Sequence, residues 1–453
     1  MTRAMFDDLA EFYAWFAEQH DREAYRTEQI PVEDAAAWRA ETGTGNIVHD
    51  SGKFFSIQGL HVETDHRDTP AWRQPIIVQD EIGILGLLVK VVDRTVYCLM
   101  QAKMEPGNIN VVQLSPTVQA TRSNYTRVHG GATVPYLDYF VAPRSGRTVF
   151  DALQSEQGSW FYQKRNRNII IEIDGEVPVR DGFCWLSVDL VIELLKVPNL
   201  VNMDSRTVLS GLPYALPGPI SLRSRFAGPA VHRFQHVLSW LCEAKTRYRL
   251  YQELIPLAEV PHWHWSDGRL VHDEGRFFSV MAVDVTAASR EVTAWSQPML
   301  APIDRGLVGF LGRSIDGVFH VLAHARTEAG TRDIVEIGPS VACNPANYAR
   351  GSRSRRPVFL DVLLGDGDVL VDVVHSEEGG RFYHAENRYL VVDVGEDFDL
   401  DVPDDYCWLT IEQLSRFVRF GNLVNVYARC LISCMVGLSE PAPRDRSKSF
   451  GTR

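Results

Sequence analysis

The chain has 453 residues, 45% of them hydrophobic and 23% charged, which is the balance of an ordinary globular protein of two or three domains. A net charge of −12 and a pI near 5.6 argue against broad electrostatic binding to nucleic acid or an anionic membrane, but leave room for an anionic small molecule held by a local cluster of donors. No apolar run approaches the ~18 residues of a membrane span, the opening "MTRAMFDDLAEFYAWFAEQ" lacks the apolar core of an export signal, and the seven scattered cysteines form no CxxC pair, so reduced thiols and a cytoplasmic location are expected.

In chain order, Phe6, Leu9, Phe12, Tyr13 and Phe16 fall at helical spacing in the opening segment. Alternating runs with strand character follow: "KFFSIQGLHV", "QPIIVQ" and "TVYCLMQAK". The apolar "GILGLLVK" reads as a buried strand, and its Gly83 and Gly86 lack the G-x-G-x-x-G spacing of a dinucleotide site. The stretch from Gln101 to Tyr125, "QAKMEPGNINVVQLSPTVQATRSNY", is dense in amides and hydroxyls. On a strand of period two, Gln101, Lys103 and Glu105 share one face with Leu99, while Met100, Ala102 and Met104 take the other. That polar face is either a solvated edge or the floor of a pocket, and the "PGN" turn with the long amide-rich loop favours the pocket. "CWLSVDLVIELLKV" reads as a helix capped by Ser187 or a neighbour, and "LVNMDSRTVLSGL" as a second, apolar one. The Pro- and Gly-rich "GLPYALPGPISLRSRFAGPA" reads as a linker, with a domain boundary near residue 225.

The rest repeats what precedes it. "HDSGKFFSI" returns as "HDEGRFFSV", "AWRQPII" as "AWSQPML", "CWLSVDLV" as "CWLTIEQL" and "NLVNM" as "NLVNV"; Lys53 and Arg276, Trp72 and Trp295, and Trp185 and Trp408 are each 223 positions apart. The chain is therefore a tandem duplication, residues 1–225 and 226–453, each half α+β with helices on a mixed sheet. Lys103, Glu105, Asn124 and Tyr125 keep counterparts in Arg326, Glu328, Asn347 and Tyr348, whereas Asn108, Gln113, Ser115 and Arg122 become Thr331, Glu336, Gly338 and Pro345. Residues needed for folding persist in both copies, so those present once are candidates for a task done once, and the first half is the expected active-site half. "HWHW" at His262 lacks the further converging ligands of a metal site, and the second helix-forming tail "LVNVYARCLISCMVGL" is a candidate for packing between halves or subunits.

"EIGILGLLVK", "LMQAKMEPGNINVVQLSPTVQATRSNYTRVHGG", "WFYQKRNRNIIIE" and "FCWLSVDLV" together resemble the NDP-hexose 2,3-dehydratase family over nearly the whole chain. The resemblance implies a Nudix-like fold in each half, a cytoplasmic homodimer, and no cofactor or metal; the acidic R-E-x-x-E-E metal box of Nudix hydrolases occurs in neither half. It implies removal of the C2 hydroxyl as water from a dTDP-linked 4-keto-6-deoxyglucose, giving a 3,4-diketo-2,6-dideoxy sugar for a partner 3-ketoreductase. Under that resemblance Glu105 is the expected base, or holds one, and Lys103 donates to the C4 oxygen or pairs with Glu105. Tyr125 or His129 would protonate the leaving hydroxyl. Gln101, Asn108, Gln113, Ser115 and Gln119 would hold sugar hydroxyls, and Arg122, Ser123 and Asn124, with Lys164 and Arg165, would meet the diphosphate. Trp72 or Trp160 would stack on thymine, with core packing as the plainer reading. For Lys103 and Glu105 the plainer reading is a structural ion pair, and the competing function is a non-catalytic nucleotide-sugar binding or regulatory protein, with the second half as a candidate secondary nucleotide site.

Overall fold

The computed structural model describes residues 5–122, 133–141, 145–212, 228–288, 290, 292–348 and 356–436. Ser123, Asn124, Tyr125 and His129 lie outside these. The expected opening helix is Leu9–Arg22, started by Asp8, whose carboxylate accepts from the amides of Ala10 and Glu11. It buries Phe12 and leaves its acidic side in water.

Each half carries one large mixed sheet. In the first half the order is Met5–Phe6, Phe183–Ser187, Thr95–Met104, Gly83–Val92, Arg165–Glu172, Arg147–Ser155. Gly83–Val92 is parallel to Arg165–Glu172 and antiparallel to Thr95–Met104. The second half repeats the arrangement: Gly306–Ile315 runs parallel to Glu386–Asp393 and antiparallel to Val318–Arg326, which pairs in turn with Tyr406–Thr410. A parallel central pair buried on both faces accounts for the unbroken apolar run "GILGLLV".

Two smaller sheets show something the repeats alone did not indicate. Leu250–Ile255, which follows the first helix of the second half, pairs with Ser56–Thr64 of the first half. Tyr25–Ile30, in the same position of the first half, pairs with Phe278–Ala287 of the second. The halves thus exchange a strand reciprocally, and each small sheet is completed by the other copy.

The repeated "NLVN" has a local cause. Its first asparagine takes a positive φ, 55° at Asn199 and 61° at Asn422, a region asparagine tolerates well. Its last asparagine is an N-cap: Asn202 Oδ1 accepts from Ser205 N at 2.8 Å and Asn425 Oδ1 from Ala428 N at 2.9 Å. The two helices so started, Met203–Leu209 and Val426–Met435, are buried on nearly every face and pack on one another inside a core drawn from both halves. Ser187 caps the helix Val188–Leu194 through Leu190 N, as its position suggested. No helix among the described residues is long and apolar enough to cross a membrane.

Candidate active site

The strand Thr95–Met104 ends beside a cavity of about 420 Å³ that both halves line. Lys103 is the strand's last but one residue and Glu105 the first beyond it; at 8% and 5% exposed they are not a solvated edge. The pocket-floor alternative describes them correctly. The turn after Glu105 is fixed by Gly107, whose amide donates to Gly379 O at 2.8 Å and whose carbonyl accepts from His384 N at 2.9 Å. A Cβ at Gly107 would overlap Phe382 O, so this approach of one half to the other requires glycine there.

From the first half the cavity also receives Gln119, carried by Val118–Ala120 on the edge of Gly83–Val92, and Asp204 from the first turn of Met203–Leu209. From the second half come Arg290, Trp295, Gln297, Glu378 and Arg381. The repeated "AWxQP" explains how the last two are placed. Trp295 Nε1 donates to Gln297 Oε1 at 2.8 Å, and Gln297 Nε2 donates to Gly380 O at 2.7 Å, tethering the turn between Glu378 and Arg381. Trp72 and Gln74 do the same to Ser159 O in the other copy.

The charged groups are tightly ordered. Gln119 Nε2 donates to Glu105 Oε1 at 2.8 Å and Asn202 Nδ2 donates to Gln119 Oε1 at 3.0 Å, which fixes the amide's orientation. Lys103 Nζ donates to Gln119 O at 3.0 Å and stands 3.8 Å from Glu105 Oε1. Arg290 Nη1 donates to Met104 O at 2.8 Å and lies 4.0 Å from the same Glu105 oxygen. Arg381 donates to Gln79 Oε1 and Gly380 O and lies 4.3 Å over the Phe55 ring. The lining is also aromatic and small, with Ala36, Ala37, Trp38, His49, Phe54 and Phe55. Trp38 is anchored there through Nε1 to Ser296 O at 2.9 Å.

Several carboxyls lie near Lys103 and Glu105. Burial, then Glu378 and the buried Glu156, holds Asp204 well above the usual carboxylate range. Burial likewise raises Glu378, against the pull of Arg381. Glu156, which accepts from Asn166 Nδ2 at 2.8 Å, is pushed up to about 7 by burial despite Arg429. Lys164 donates to Glu81 O and is pushed down to about 8 by its own burial.

Lys103, Glu105 and Gln119 are therefore brought together, and the other candidates among the described residues lie elsewhere. Gln113 is fully buried between the halves, donating to Ser376 Oγ at 2.6 Å. Ser115 is fully buried, with its hydroxyl on Pro116 O. Asn108 closes its own turn on Val111 O. Gln101 is half-buried within the sheet opposite Ser115 and Phe183, Arg122 is exposed, and Arg165 is half-buried near Arg332 and Asp333. Trp160 packs 4.4 Å from Phe382, and Trp72 lies beneath Arg67 at 5.2 Å. The tryptophans that do line the cavity are Trp38 and Trp295.

This displacement has one cause. Trp295 is the second-copy counterpart of Trp72, and Arg381 that of Trp160. Because the site is completed across the halves, the second copy's versions face Lys103 and Glu105. The reciprocal cluster has Arg326 bonded to Glu328 at 3.0 Å, Arg67 within electrostatic reach, and Tyr427 where the first copy has Asp204. The missed residues did carry a signal. Asp204 aligns with Tyr427, Glu378 with Gln157 and Arg381 with Trp160, so each is present in one copy only.

A family model described as NDP-hexose 2,3-dehydratase matches residues 9–212 and 234–435. A protein of Streptomyces violaceoruber described as dTDP-4-dehydro-6-deoxy-alpha-D-glucopyranose 2,3-dehydratase is 53% identical over 433 residues, 94% of this chain and 97% of that one. One of the same description from Saccharopolyspora spinosa is 45% identical over 443 residues, 94% of this chain and 91% of that one. A solved structure described as "Crystal structure of ADP compounds hydrolase" aligns with 35% of this chain and 85% of its own, at 19% identity and a TM-score of 0.22.

Proposed function

The chain belongs to the NDP-hexose 2,3-dehydratase family, a hydro-lyase family, and from that membership we propose how its cavity performs the reaction. The substrate is dTDP-4-keto-6-deoxyglucose, as in the names of its relatives, and water leaves with the C2 hydroxyl. The observation that carries this reading is the mixed lining of the cavity: aromatic side chains suited to a thymine, and cations and amides suited to a diphosphate and a keto sugar. Trp38, Phe54 and Phe55 take the base, and Arg381 with Arg290 meets the diphosphate.

The chemistry needs no redox step. The C4 ketone acidifies the proton on C3, so a base removes it and the electrons move onto the C4 oxygen as an enolate. They then return to expel hydroxide from C2, and the resulting enol tautomerises to the 3,4-diketone. Glu105 is the base. Its single hydrogen-bonded orientation, set by Gln119, leaves the carboxylate aimed rather than free to rotate. Lys103, held by Gln119 O, donates to the C4 oxygen as it gains charge. Tyr125 and His129, the acids the family resemblance suggests for the leaving hydroxyl, lie outside the described residues. The product passes to a 3-ketoreductase, the enzyme works as a cytoplasmic homodimer without a metal or cofactor, and the reciprocal cluster around Arg326 serves as a secondary nucleotide site in the half 226–453.

Incubating the protein with the keto sugar nucleotide and a trapping reductase tests this directly. Glu105→Gln is expected to lower turnover by about 10²–10⁴-fold and Lys103→Ala by about 10²–10³-fold, with dTDP still bound. Near-native turnover in both variants would place the chemistry outside this cavity.

A further inference from the structure

We propose that Asp204 is the acid that carries the departing C2 hydroxyl away as water, a role that rests on the dehydratase reading. Asp204 lines the cavity, is only 3% exposed, and its Oδ1 has no hydrogen-bond partner among the described residues. A buried carboxyl oxygen left unsatisfied destabilises the fold, so its presence calls for a purpose. The fold does not supply one. The helix that carries it is already capped by Asn202, and the second copy builds the same helix with Tyr427 at this position. Glu105, by contrast, is held by Gln119 and is already committed as the base.

The surroundings suit a proton donor. Glu378 reaches Asp204 from the turn of the other half, Glu156 from the end of Arg147–Ser155, and Glu105 from the strand end; Lys103 is the opposing cation. Arg206, two residues on in the same helix, is directed to Val201 O and Ser376 O instead. Burial first, then those three carboxylates, holds the Asp204 carboxyl well above its usual range, which favours its protonated form. Glu378, itself raised and with Oε2 unpartnered among the described residues, adds repulsion from across the interface.

The balance closes. Glu105 takes the C3 proton, the C3–H electrons form the enolate, and their return forms C2=C3 and breaks C2–O. Asp204 gives its proton to that oxygen, and water leaves. Glu105 then delivers its proton to C2 while the C3 enol hydroxyl returns one to Asp204, leaving the ketone at C3 and both groups restored.

Proton loss from C3 and hydroxide loss from C2 are separately measurable, which isolates the acid. In deuterated water, Asp204→Asn is expected to lose dehydration by about 10²–10⁴-fold while C3 hydrogen exchange into the substrate and dTDP binding persist. Glu105→Gln should lose exchange and dehydration together. Dehydration by D204N within tenfold of wild type, or loss of exchange in parallel with dehydration while dTDP still binds, would overturn the assignment. Where the Asn variant does not accumulate folded, Asp204→Ser is measured for exchange and dehydration in its place, and the same results support or overturn the role. A wild type that exchanges and dehydrates nothing would bring down the dehydratase reading itself, and this proposal with it.

Discussion

Two buried residues show how the copies diverged chemically at equivalent positions. Gln113 donates to Ser376 Oγ at 2.6 Å, and its counterpart Glu336 accepts from Ser155 Oγ at 2.7 Å. The second copy thus buries a carboxyl where the first buries an amide. Burial pushes Glu336 up to about 7, against the Ser155 bond and Arg429. Its folded-state pKa lies above the unfolded value of 4.5, so its contribution is fully present below pH 4.5 and is lost as pH rises through about 7. Glu336→Gln removes that loss. The variant is expected to be more stable than wild type by on the order of 1–3 kcal/mol at pH 8, relative to the difference measured near pH 4.5. Urea midpoints at the two pH values report it; an equal difference at both would mean that the carboxyl does not titrate with folding. Nothing in the sequence distinguishes Glu336 from an exposed glutamate, because its burial depends on Ser155 of the other half, 181 positions away.

At the scale of elements, the paired central helices do more than fill the core. Arg206 and Arg429 are fully buried equivalents, and each spans the halves: Arg206 Nη2 donates to Ser376 O at 2.8 Å and Arg429 Nη2 to Ser155 O at 2.6 Å. Ser376 ends the strand that leads into Glu377 and Glu378, so Arg206 fixes the origin of the turn that enters the cavity. A lysine cannot reproduce a fork that serves two carbonyls. Arg206→Lys is expected to cost about 2–4 kcal/mol of stability and to lower kcat more than it raises KM, because the turn bearing Glu378 loosens while Trp38 and Phe54 are untouched. Unfolding midpoints and steady-state kinetics check both parts, and an unchanged kcat would limit Arg206 to a purely structural role. The helices themselves were legible as the apolar runs "LVNMDSRTVLSGL" and "LVNVYARCLISCMVGL", and the structure has both. The register of one helix on the other was not, since two apolar faces of similar size specify contact without specifying which arginine meets which carbonyl.

At the scale of the molecule, the duplication was fully legible and its consequence was not. A repeat of 223 residues suggests two self-contained units side by side. The strands Tyr25–Ile30 and Leu250–Ile255 instead cross over, and their own half-buried patterns do not say which sheet they join. Strand addition of this kind satisfies the open edges of Ser56–Thr64 and Phe278–Ala287, which would otherwise present unpaired backbone groups. It also explains why reasoning within the first copy named Lys103, Glu105 and Gln119, which line the shared cavity, together with Trp72, Trp160 and Arg165, which do not, while Trp295 and Arg381 of the second copy do. A chain cut near residue 220 makes the exchange testable. Each fragment alone lacks one strand of a small sheet and half of the shared core formed around Met203–Leu209 and Val426–Met435. Expressed alone, each is expected to aggregate or to show broad, uncooperative unfolding; expressed together, they should co-elute as a one-to-one complex and recover dehydration. The connection between them adds only an effective-concentration advantage, so the complex should weaken on dilution where the intact chain does not. Two fragments that fold separately, elute apart and leave the keto sugar unchanged on mixing would mean that each half completes its own sheets in solution, and that the active cavity is not assembled from both.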